Sequence, residues 1–341
     1  MLMSITLLMP LTSSDMGAGS TTMTQQPADD HRHWTEADVP DLSGQTAVVT
    51  GANTGLGLQA AQVLAGRGAH VVLACRNTDK AGRAADRITA ASPGAEVSVV
   101  RLDLASQSSV RSAATEIRAR FPRADLLINN AGVMDVPYQR TEDGFELTLA
   151  TNHLGPFALT GLLLDRLADG ARIVTVSSIG HLDGVVNFDD LQSERSYQPD
   201  RAYGQSKLAN LLFTYELDRR LRAAGSRVTA LACHPGVVYT DLFANDSRLQ
   251  QFLLSPSMRI INFWAVQNVR MGALPQLRAA TDPAARGGEY FGPRREGLRR
   301  RFYTGYPAVV ESSARSHDEA DQARLWKRSQ ELTGVSYPAL G

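Results

Sequence analysis

From about residue 45, short apolar runs alternate with longer stretches rich in Ala, Leu and Arg, and this alternation constrains the fold most strongly. The runs are nearly continuous in apolar residues, which is the pattern of strands buried on both faces of a parallel sheet. Right-handed crossovers then require helices on both faces of that sheet. The predicted strands are Thr46–Thr50, His70–Cys75, Val97–Leu102, Leu126–Asn129, Arg172–Ser177, Arg227–Cys233 and Gly287–Phe291. The sequence therefore predicts an α/β fold with one doubly wound parallel sheet.

One domain is expected over residues 42 to 310, because no repeat, low-complexity block or linker interrupts the alternation. Residues 1 to 41 are rich in small polar residues, and we expect a poorly ordered tail there. The largest excursion, residues 241 to 280, contains the apolar stretch Phe252 to Val266. That stretch fits a helical lid over a hydrophobic pocket, although a helix packed on the core or a subunit interface would look the same. Residues 311 to 341 form a short, mostly helical C-terminal extension.

Charge and cysteine content exclude several classes of function. The chain has 35 basic and 35 acidic residues, so no long-range field draws it to nucleic acid or to an anionic membrane. Cys75 and Cys233 lie in apolar runs without a thiol or histidine at metal-ligand spacing, so we expect buried structural thiols and no metal site. Reduced thiols are typical of the cytoplasm. A small neutral substrate fits this composition best.

The N-terminal apolar stretch from Met3 to Leu11 is not preceded by Lys or Arg, so we expect no signal peptide. No run in the sequence approaches the roughly 18 to 20 apolar residues that a membrane span needs. We therefore expect a cytoplasmic protein without a membrane anchor.

A glycine-rich turn follows the first predicted strand and precedes a helix expected to begin near Leu58. Gly51 permits the tight turn, and Gly55 lets the backbone approach a pyrophosphate without a Cβ in the way. The helix N-terminus offers N–H groups and a favourable dipole to that anion. The alternative is a glycine-rich turn without a ligand. The residues expected to hold a dinucleotide here are Gly51, Asn53, Thr54, Gly55, Leu56 and Gly57.

Tyr203 and Lys207 lie four residues apart, so on a helix they stack on one face about one turn from each other. Free tyrosine, with a pKa near 10, is poorly suited to proton transfer at neutral pH. A nearby ammonium favours the phenolate and is expected to lower that pKa. Such a pair can give and take a proton at a carbonyl or alcohol oxygen. A tyrosine that merely packs on a lysine stem would show the same spacing.

The Gly-x-x-x-Gly-x-Gly spacing of residues 51 to 57, together with Tyr203 and Lys207, resembles the short-chain dehydrogenases/reductases over roughly residues 43 to 310. The C-terminal stretch resembles the branch around retinol dehydrogenases and their bacterial relatives. The resemblance implies a Rossmann-type fold and NAD(P)(H)-dependent hydride transfer that interconverts an alcohol with a ketone or aldehyde on an apolar small molecule. Tyr203 would be the acid/base, and Lys207 would also bind the nicotinamide ribose.

The resemblance assigns catalytic roles to two further residues. Ser178, at the end of the fifth strand, is expected to hydrogen-bond the substrate oxygen, with its neighbour Ser177 as the second choice. Asn152, on the helix before that strand, is expected to hold a water that relays protons to Lys207. A helix bend beside Gly155 is the competing explanation for an asparagine at that position.

The end of the second strand bears on the choice of nicotinamide cofactor. It carries no carboxylate to bind the ribose hydroxyls of NAD(H), whereas Arg76 could pair with the 2′-phosphate of NADP(H). We therefore predict NADP(H) in preference to NAD(H). Asp79 leaves some NAD(H) use open, and Arg76 could also be only a solvated residue at a strand end.

The remaining cofactor contacts are implied by the resemblance alone. Asp103 and Leu104 match the segment that meets the adenine, and Asn130 matches the turn after the fourth strand. The Val238 backbone and the Thr240 hydroxyl match the turn that covers the nicotinamide. On their own, Asp103 would more often be a helix cap or loop carboxylate, and Asn130 a side chain that stabilises the backbone. His234, beside Pro235-Gly236, is expected to be a turn residue and not a second acid/base.

Two other functions share the same fold. A non-catalytic NADP-binding regulatory or scaffold protein usually lacks the tyrosine or the lysine, and both are present here. An epimerase or dehydratase typically carries a different glycine spacing and a larger C-terminal domain. Family members often form a homodimer through the helices that carry Asn152 and Tyr203, but this branch also includes monomers, so both states are open.

Overall fold

The computed structural model describes residues 33–238, 267–294, 303–337 and 340, and His33–Gly341 forms one unit. Its sheet has the strand order β3-β2-β1-β4-β5-β6-β7-β8, in which only β8, next to β7, runs antiparallel. The described strands are β1 (Thr46–Thr50), β2 (His70–Cys75), β3 (Val97–Arg101), β4 (Ala124–Asn129), β5 (Leu167–Val176), β6 (Thr229–Cys233), β7 (Tyr290–Arg294) and β8 (Tyr306–Val309). The doubly wound parallel sheet of a Rossmann-type fold is therefore confirmed, with an antiparallel strand added at one edge.

Helices cover both faces of this sheet. They are α1 (Gly55–Gly66), α2 (Thr78–Ala91), α3 (Gln107–Arg120), the short α4 (Leu147–Leu149), α5 (Gly155–Leu163), α6 (Pro199–Ala223), α7 (Val269–Thr281) and α8 (Glu319–Thr333). Val48 and Val49 point to opposite faces of β1, and both are fully buried. Val49 packs in the core that includes residues of α1, α2 and α7, and Val48 packs in the core that includes residues of α3, α5 and α6. This two-sided burial is the reason the strands are apolar throughout.

The strand order places β1 between β2 and β4, so the chain winds in opposite directions on the two sides of β1. The loops that leave the carboxyl ends of β1 and β4 therefore diverge and leave a crevice between them. In open α/β sheets such a switch point is where ligands bind. The topology alone thus identifies the edge of the sheet where the functional residues should be sought.

The boundaries differ from the prediction at both ends of the domain. The ordered chain includes residues 33 to 41, which were expected to belong to the tail: Thr35 caps a 3₁₀ turn over Glu36–Asp38, and Val39 is buried. Arg67 donates hydrogen bonds to the carbonyl oxygens of Glu36 and Ala37. Apolar burial and these backbone contacts explain why the segment is part of the fold.

The C-terminal segment is also integrated into the domain. α8 packs against α6, and its Trp326 is only 3% exposed. The ring of Trp326 contacts those of Phe157 on α5 and Phe213 on α6. A helix expected to be a polar extension therefore completes one of the two hydrophobic cores.

The lid predicted over residues 241 to 280 is only partly described. Residues 239–266, which include the apolar stretch Phe252 to Val266, lie outside the described residues. The described part forms α7, which packs beside α1 and contributes Ala273 and Leu277 to the core. This part of the segment is a core helix and not a lid.

One stretch departs from the expectation that no segment is long and apolar enough to span a membrane. Within the described residues, Leu147–Arg166 passes that test by length and composition. Most of it is buried inside the domain, where α5 packs against α3. Its hydrophobicity is accounted for by burial in the core of the fold.

Candidate active site

A cleft of about 460 Å³ opens at the carboxyl edge of the sheet, where β1 and β4 diverge. It gathers most of the residues that the sequence assigned to a dinucleotide. The predicted residues that line it are Gly51, Asn53, Thr54, Gly55, Leu56, Gly57, Arg76, Asp103, Leu104, Asn130, Tyr203 and Lys207. The phosphate turn, the end of β2 and the tyrosine–lysine pair therefore face one common space.

The glycine turn brings α1 very close to the end of β1. Gly51 and Gly55 both adopt positive φ, at 66° and 56°, a region that favours glycine. A Cβ on Gly57 would lie 2.5 Å from Asn130 Nδ2 and 2.7 Å from the Gly51 carbonyl oxygen, so no side chain fits there. α1 begins at Gly55, three residues earlier than predicted, and its N-terminus faces the cleft. This arrangement fits the diphosphate of NAD(P)(H), since helix N-termini bind anions.

Asn130 and Asp103 each have a structural role beside their place in the cleft. Asn130 Nδ2 donates to the Thr50 carbonyl oxygen at 2.9 Å and so ties the loop after β4 to the end of β1. The Asp103 carboxylate accepts a hydrogen bond from the Ala105 N–H at 3.0 Å. The turn-stabilising and cofactor-binding interpretations are therefore compatible for both residues.

Tyr203 and Lys207 lie one turn apart on α6, as the spacing predicts, and both reach the cleft. Lys207 is buried, and its Nζ donates to the Val176 carbonyl oxygen at 3.1 Å. The Nζ atom lies 5.5 Å from the centre of the Tyr203 ring. Burial lowers the pKa of Lys207 to about 8. The Lys207 side chain is thus fixed beside Tyr203. Because its pKa is lowered, Lys207 loses its proton more readily than an exposed lysine does.

The pKa of Tyr203 differs from the expectation that Lys207 lowers it. Removal of the phenol from water raises the pKa of Tyr203, and an interaction with the Ser178 hydroxyl offsets this only in part. Desolvation disfavours the phenolate more than the neighbouring groups favour it. Tyr203 is therefore held as the neutral phenol, which is the form that donates a proton.

The structure distinguishes the two serines at the end of β5. The Ser177 hydroxyl donates to the Lys207 carbonyl oxygen at 2.8 Å and is buried, so it is committed to α6. Ser178 is partly exposed, and its Oγ accepts from the Gly180 N–H at 3.2 Å while it also interacts with Tyr203. The Ser178 hydroxyl is the one that remains available beside the tyrosine.

Asn152 lies in a π-helical turn over Ala150–Leu154, between α4 and α5. Its Oδ1 accepts from the Val133 N–H at 2.7 Å, and its Nδ2 donates to the Val133 carbonyl oxygen and to Ser206 Oγ, both at 2.9 Å. Both amide hydrogens are therefore used within the protein. Asn152 fixes the loop after β4 against α6, and π-helical turns of this kind occur frequently at functional sites.

Of the two residues predicted to cover the nicotinamide, Val238 is not among the residues that line the cleft. Val238 is buried and lies beside Leu56 and Gly272, where a Cβ on Gly272 would lie 2.4 Å from Val238 Cγ2. Thr240 lies outside the described residues. His234 Nδ1 accepts from the Gly236 N–H at 3.2 Å, and burial lowers the pKa of His234 to about 3. It is a neutral turn residue, as the sequence suggested.

Two of the lining residues that sequence reasoning missed bear on the chemistry of the site. Lys80, on the first turn of α2, lines the cleft together with Arg76, and both side chains are exposed. Gly132 lies against the catalytic candidates: a Cβ there would be 3.1 Å from Asn152 Oδ1 and 3.4 Å from Lys207 Nζ. The position of Lys80 four residues after Arg76 could have suggested it. No local pattern marks Gly132, because its neighbours come from distant segments.

Comparison with known proteins agrees with this geometry. The family described as short chain dehydrogenase matches residues 45–251. The chain is 39% identical to human retinol dehydrogenase 13 over 338 residues, which cover 98% of this chain and 97% of that protein. The crystal structure of an uncharacterized protein from Mycobacterium paratuberculosis is also similar, with 42% identity and a TM-score of 0.74. The match covers 90% of this chain and 100% of that protein.

A more distant structure carries a cofactor. It comes from Beutenbergia cavernae and is described as an NAD(P)-dependent gluconate 5-dehydrogenase with NADP bound at low occupancy. It is 28% identical, has a TM-score of 0.58 and covers 73% of this chain and 95% of its own. The present chain belongs to the short-chain dehydrogenase/reductase family, in the branch of the retinol dehydrogenases. Its class of activity is NAD(P)-dependent oxidoreduction of alcohols and carbonyl compounds.

Proposed function

We propose that the protein is an NADP(H)-preferring oxidoreductase that interconverts an apolar alcohol with its aldehyde or ketone. The observation that supports this most directly is that one cleft is lined both by Tyr203 and Lys207 on α6 and by Arg76 and Lys80, which follow β2. The first pair provides acid/base chemistry. The second pair provides positive charge where an NADP-specific phosphate would lie.

The preference for NADP(H) rests on charge at the end of β2. Arg76 and Lys80 make no ion pair with any residue that the structure describes, so both are available to a ligand phosphate. Among the described residues that line the cleft, Asp103 is the one carboxylate, and it follows β3; Asp79, which comes soon after β2, does not line the cleft. Two cations just after β2, with no carboxylate from that segment in the cleft, favour the extra phosphate.

In the reductive direction NADPH, when bound in the cleft, would supply the hydride that the carbonyl carbon accepts. Tyr203 then donates its phenolic proton to the developing alkoxide, and its raised pKa keeps that proton in place at neutral pH. Ser178 orients the substrate oxygen by a hydrogen bond. Lys207, held by the Val176 carbonyl oxygen, stabilises negative charge that develops on Tyr203. In the oxidative direction Tyr203 takes the proton from the alcohol.

The names of the relatives support a proposal for the substrate class. Retinol dehydrogenases are named for an apolar polyene alcohol, and the identity to them extends over nearly the whole chain. We propose a retinoid-like, extended apolar alcohol or aldehyde as the substrate, with steroid-like and polyketide-like carbonyl compounds as the next candidates. The near-neutral charge of the chain fits an uncharged substrate. The buried free thiols of Cys75 and Cys233 fit a reducing compartment, and we propose the cytoplasm.

The experiment is a turnover assay with NADPH and a panel of apolar aldehydes and ketones, followed by loss of absorbance at 340 nm, with a Tyr203→Phe variant. We expect the variant to lose about 10²- to 10⁴-fold in kcat, the usual contribution of a positioned acid/base. Tyr138→Phe is the matched control, because Tyr138 is an exposed tyrosine that does not line the described cleft. Equal turnover by Tyr203→Phe and wild type would refute the proposed proton donor.

A further inference from the structure

The loop that follows Ser178 is packed closely against the helix that carries Tyr203. Ser178 caps a 3₁₀ turn over Ile179–Leu182. A Cβ on Gly180 would lie 3.2 Å from the Tyr203 ring, and a Cβ on Gly184 would lie 2.4 Å from the Gly204 carbonyl oxygen. The glycines therefore let the loop approach α6 at the catalytic tyrosine, and any shift of the loop changes the relation between Ser178 and Tyr203.

A C-terminal segment covers the other side of this loop. We call Ser312–His317 the C-terminal clamp; it lies between β8 and α8. The clamp is anchored on α6, because Ser312 Oγ hydrogen-bonds the Tyr215 hydroxyl at 2.8 Å and the His317 ring stacks on the Tyr215 ring. It thus has a fixed position relative to α6.

From this anchor the clamp makes two hydrogen bonds to the loop. The Ser313 N–H donates to His181 Nε2 at 3.2 Å, and Arg315 Nη1 donates to the Gly184 carbonyl oxygen at 3.1 Å. The loop after Ser178 is therefore held between α6 and the clamp.

The His181 ring links the clamp to Ser178, because it hydrogen-bonds both. Because Nε2 accepts from the Ser313 N–H, the ring proton of the neutral imidazole lies on Nδ1. Nδ1–H then donates to the Ser178 carbonyl oxygen at 2.6 Å, which also accepts from the His181 backbone N–H. His181 is buried, and both ring nitrogens are used, so its orientation is fixed.

We propose that His181 is a positioning residue through which the C-terminal clamp fixes Ser178 relative to Tyr203. The clamp lies outside the residues matched by the family as a whole, which end at residue 251. This inference rests on the proposed function, because it assumes that Ser178 orients the substrate. It adds that the geometry of the catalytic serine depends on backbone groups more than 130 residues further along the chain.

The test removes one backbone N–H. Ser313 has φ −64°, which a proline ring adopts without strain, so Ser313→Pro deletes the N–H that donates to His181 at a position whose own φ suits proline. Ser313→Ala is the matched control, because it keeps the N–H and removes a hydroxyl that has no partner among the described residues. We expect kcat of Ser313→Pro to fall about 10- to 100-fold, the range that a misplacement of about 1 Å can cause. Ser313→Ala should match wild type.

The dissociation constant for NADPH separates a positioning role from general damage. It should stay within about twofold of the wild-type value in both variants, because the clamp's hydrogen bonds and ring contacts within the described chain go to Tyr215, His181, Gly184 and the start of α8, or stay inside the clamp, and not to a predicted cofactor residue. Equal kcat for Ser313→Pro and Ser313→Ala would overturn the proposal. If wild type binds NADPH but turns over no carbonyl substrate, the proposed function fails instead, which is a distinct result.

Variants of His181 decide the question if Ser313→Pro does not fold. His181→Asn can still place an amide N–H near the Ser178 carbonyl oxygen, whereas His181→Ala cannot. We expect the kcat of His181→Asn to be several-fold higher than that of His181→Ala, with similar dissociation constants for NADPH. Equal kcat values for the two variants, or wild-type kcat for His181→Ala, would refute the positioning role.

Discussion

Removal of the Arg76 guanidinium tests the cofactor preference most directly. Arg76 is exposed at the end of β2, lines the cleft and makes no ion pair with a described residue, so its truncation leaves no buried charge behind. A hydrogen bond to a charged group contributes about 1.5 to 3 kcal/mol. Since about 1.4 kcal/mol corresponds to a tenfold change in the dissociation constant, Arg76→Ala should weaken NADPH binding by about 10- to 100-fold. NADH, which lacks the 2′-phosphate, should bind the variant and wild type equally.

The assay is a fluorescence titration of each variant with NADPH and with NADH at two ionic strengths. Lys80→Ala should weaken NADPH binding by only about two- to fivefold, because an exposed ammonium is a screened point charge without the fork geometry of arginine. Arg83→Ala, an exposed arginine on α2 that does not line the cleft, is the matched control and should change neither constant. The reasoning is refuted if wild type binds NADH as tightly as NADPH, or if Arg76→Ala weakens both equally.

Four further outcomes are expected. Gly132→Ala should lower kcat about tenfold while the protein still binds NADPH, because the added methyl group presses on Asn152 and Lys207; an unchanged kcat would contradict this. The kcat/KM of carbonyl reduction should fall as the pH rises through about 8, where Lys207 of the free enzyme loses its proton; a profile that is flat to pH 10 would contradict this. Burial lowers the pKa of Lys207 from 10.5 to about 8, so between these pH values the unfolded chain binds more protons at Lys207 than the folded chain does. The contribution of Lys207 to the free energy of unfolding should therefore rise with pH in this range, as measured by urea denaturation. Lys207→Met should abolish that contribution. Size-exclusion chromatography with light scattering should show a monomer, since Trp326 of the same chain covers the apolar face of α6 at Phe213; a dimer that persists at low protein concentration would contradict this.

Local patterns in the sequence were sufficient to predict the sheet and the pairing of Tyr203 with Lys207 in the cleft. β1 and β2 have the predicted bounds. Each is a continuous run rich in β-branched residues between a glycine and the start or end of a helix, so few other strand boundaries are compatible with the sequence. Tyr203 and Lys207 meet in the cleft because helical spacing alone puts them on one face. These features depend on residues close together in the sequence.

Other features depend on contacts between distant segments, and they could not be predicted. The burial that raises the pKa of Tyr203 comes from its packing in the fold, whereas the sequence showed only the neighbouring lysine. The hydrogen bonds of Asn152 to Val133 and Ser206 join three segments. The packing of α8 in the core could not be predicted from its mostly polar composition, because only a few of its residues, such as Leu325 and Trp326, are buried apolar side chains. β8 was missed because its four residues include a proline and lie at a sheet edge, where proline is tolerated.

The packing of α8 on α6 has a consequence for the synthesis of the protein. α6 ends at Ala223 and α8 begins at Glu319, so about 100 residues must be added before the apolar face of α6 is covered. At about 5 to 20 residues per second, that interval lasts on the order of 5 to 20 seconds. During it the nascent chain displays Phe157 and Phe213 without their partner, which makes it a client for chaperones that bind exposed aromatic surface. A chain that terminates before α8 would retain that surface permanently and should aggregate.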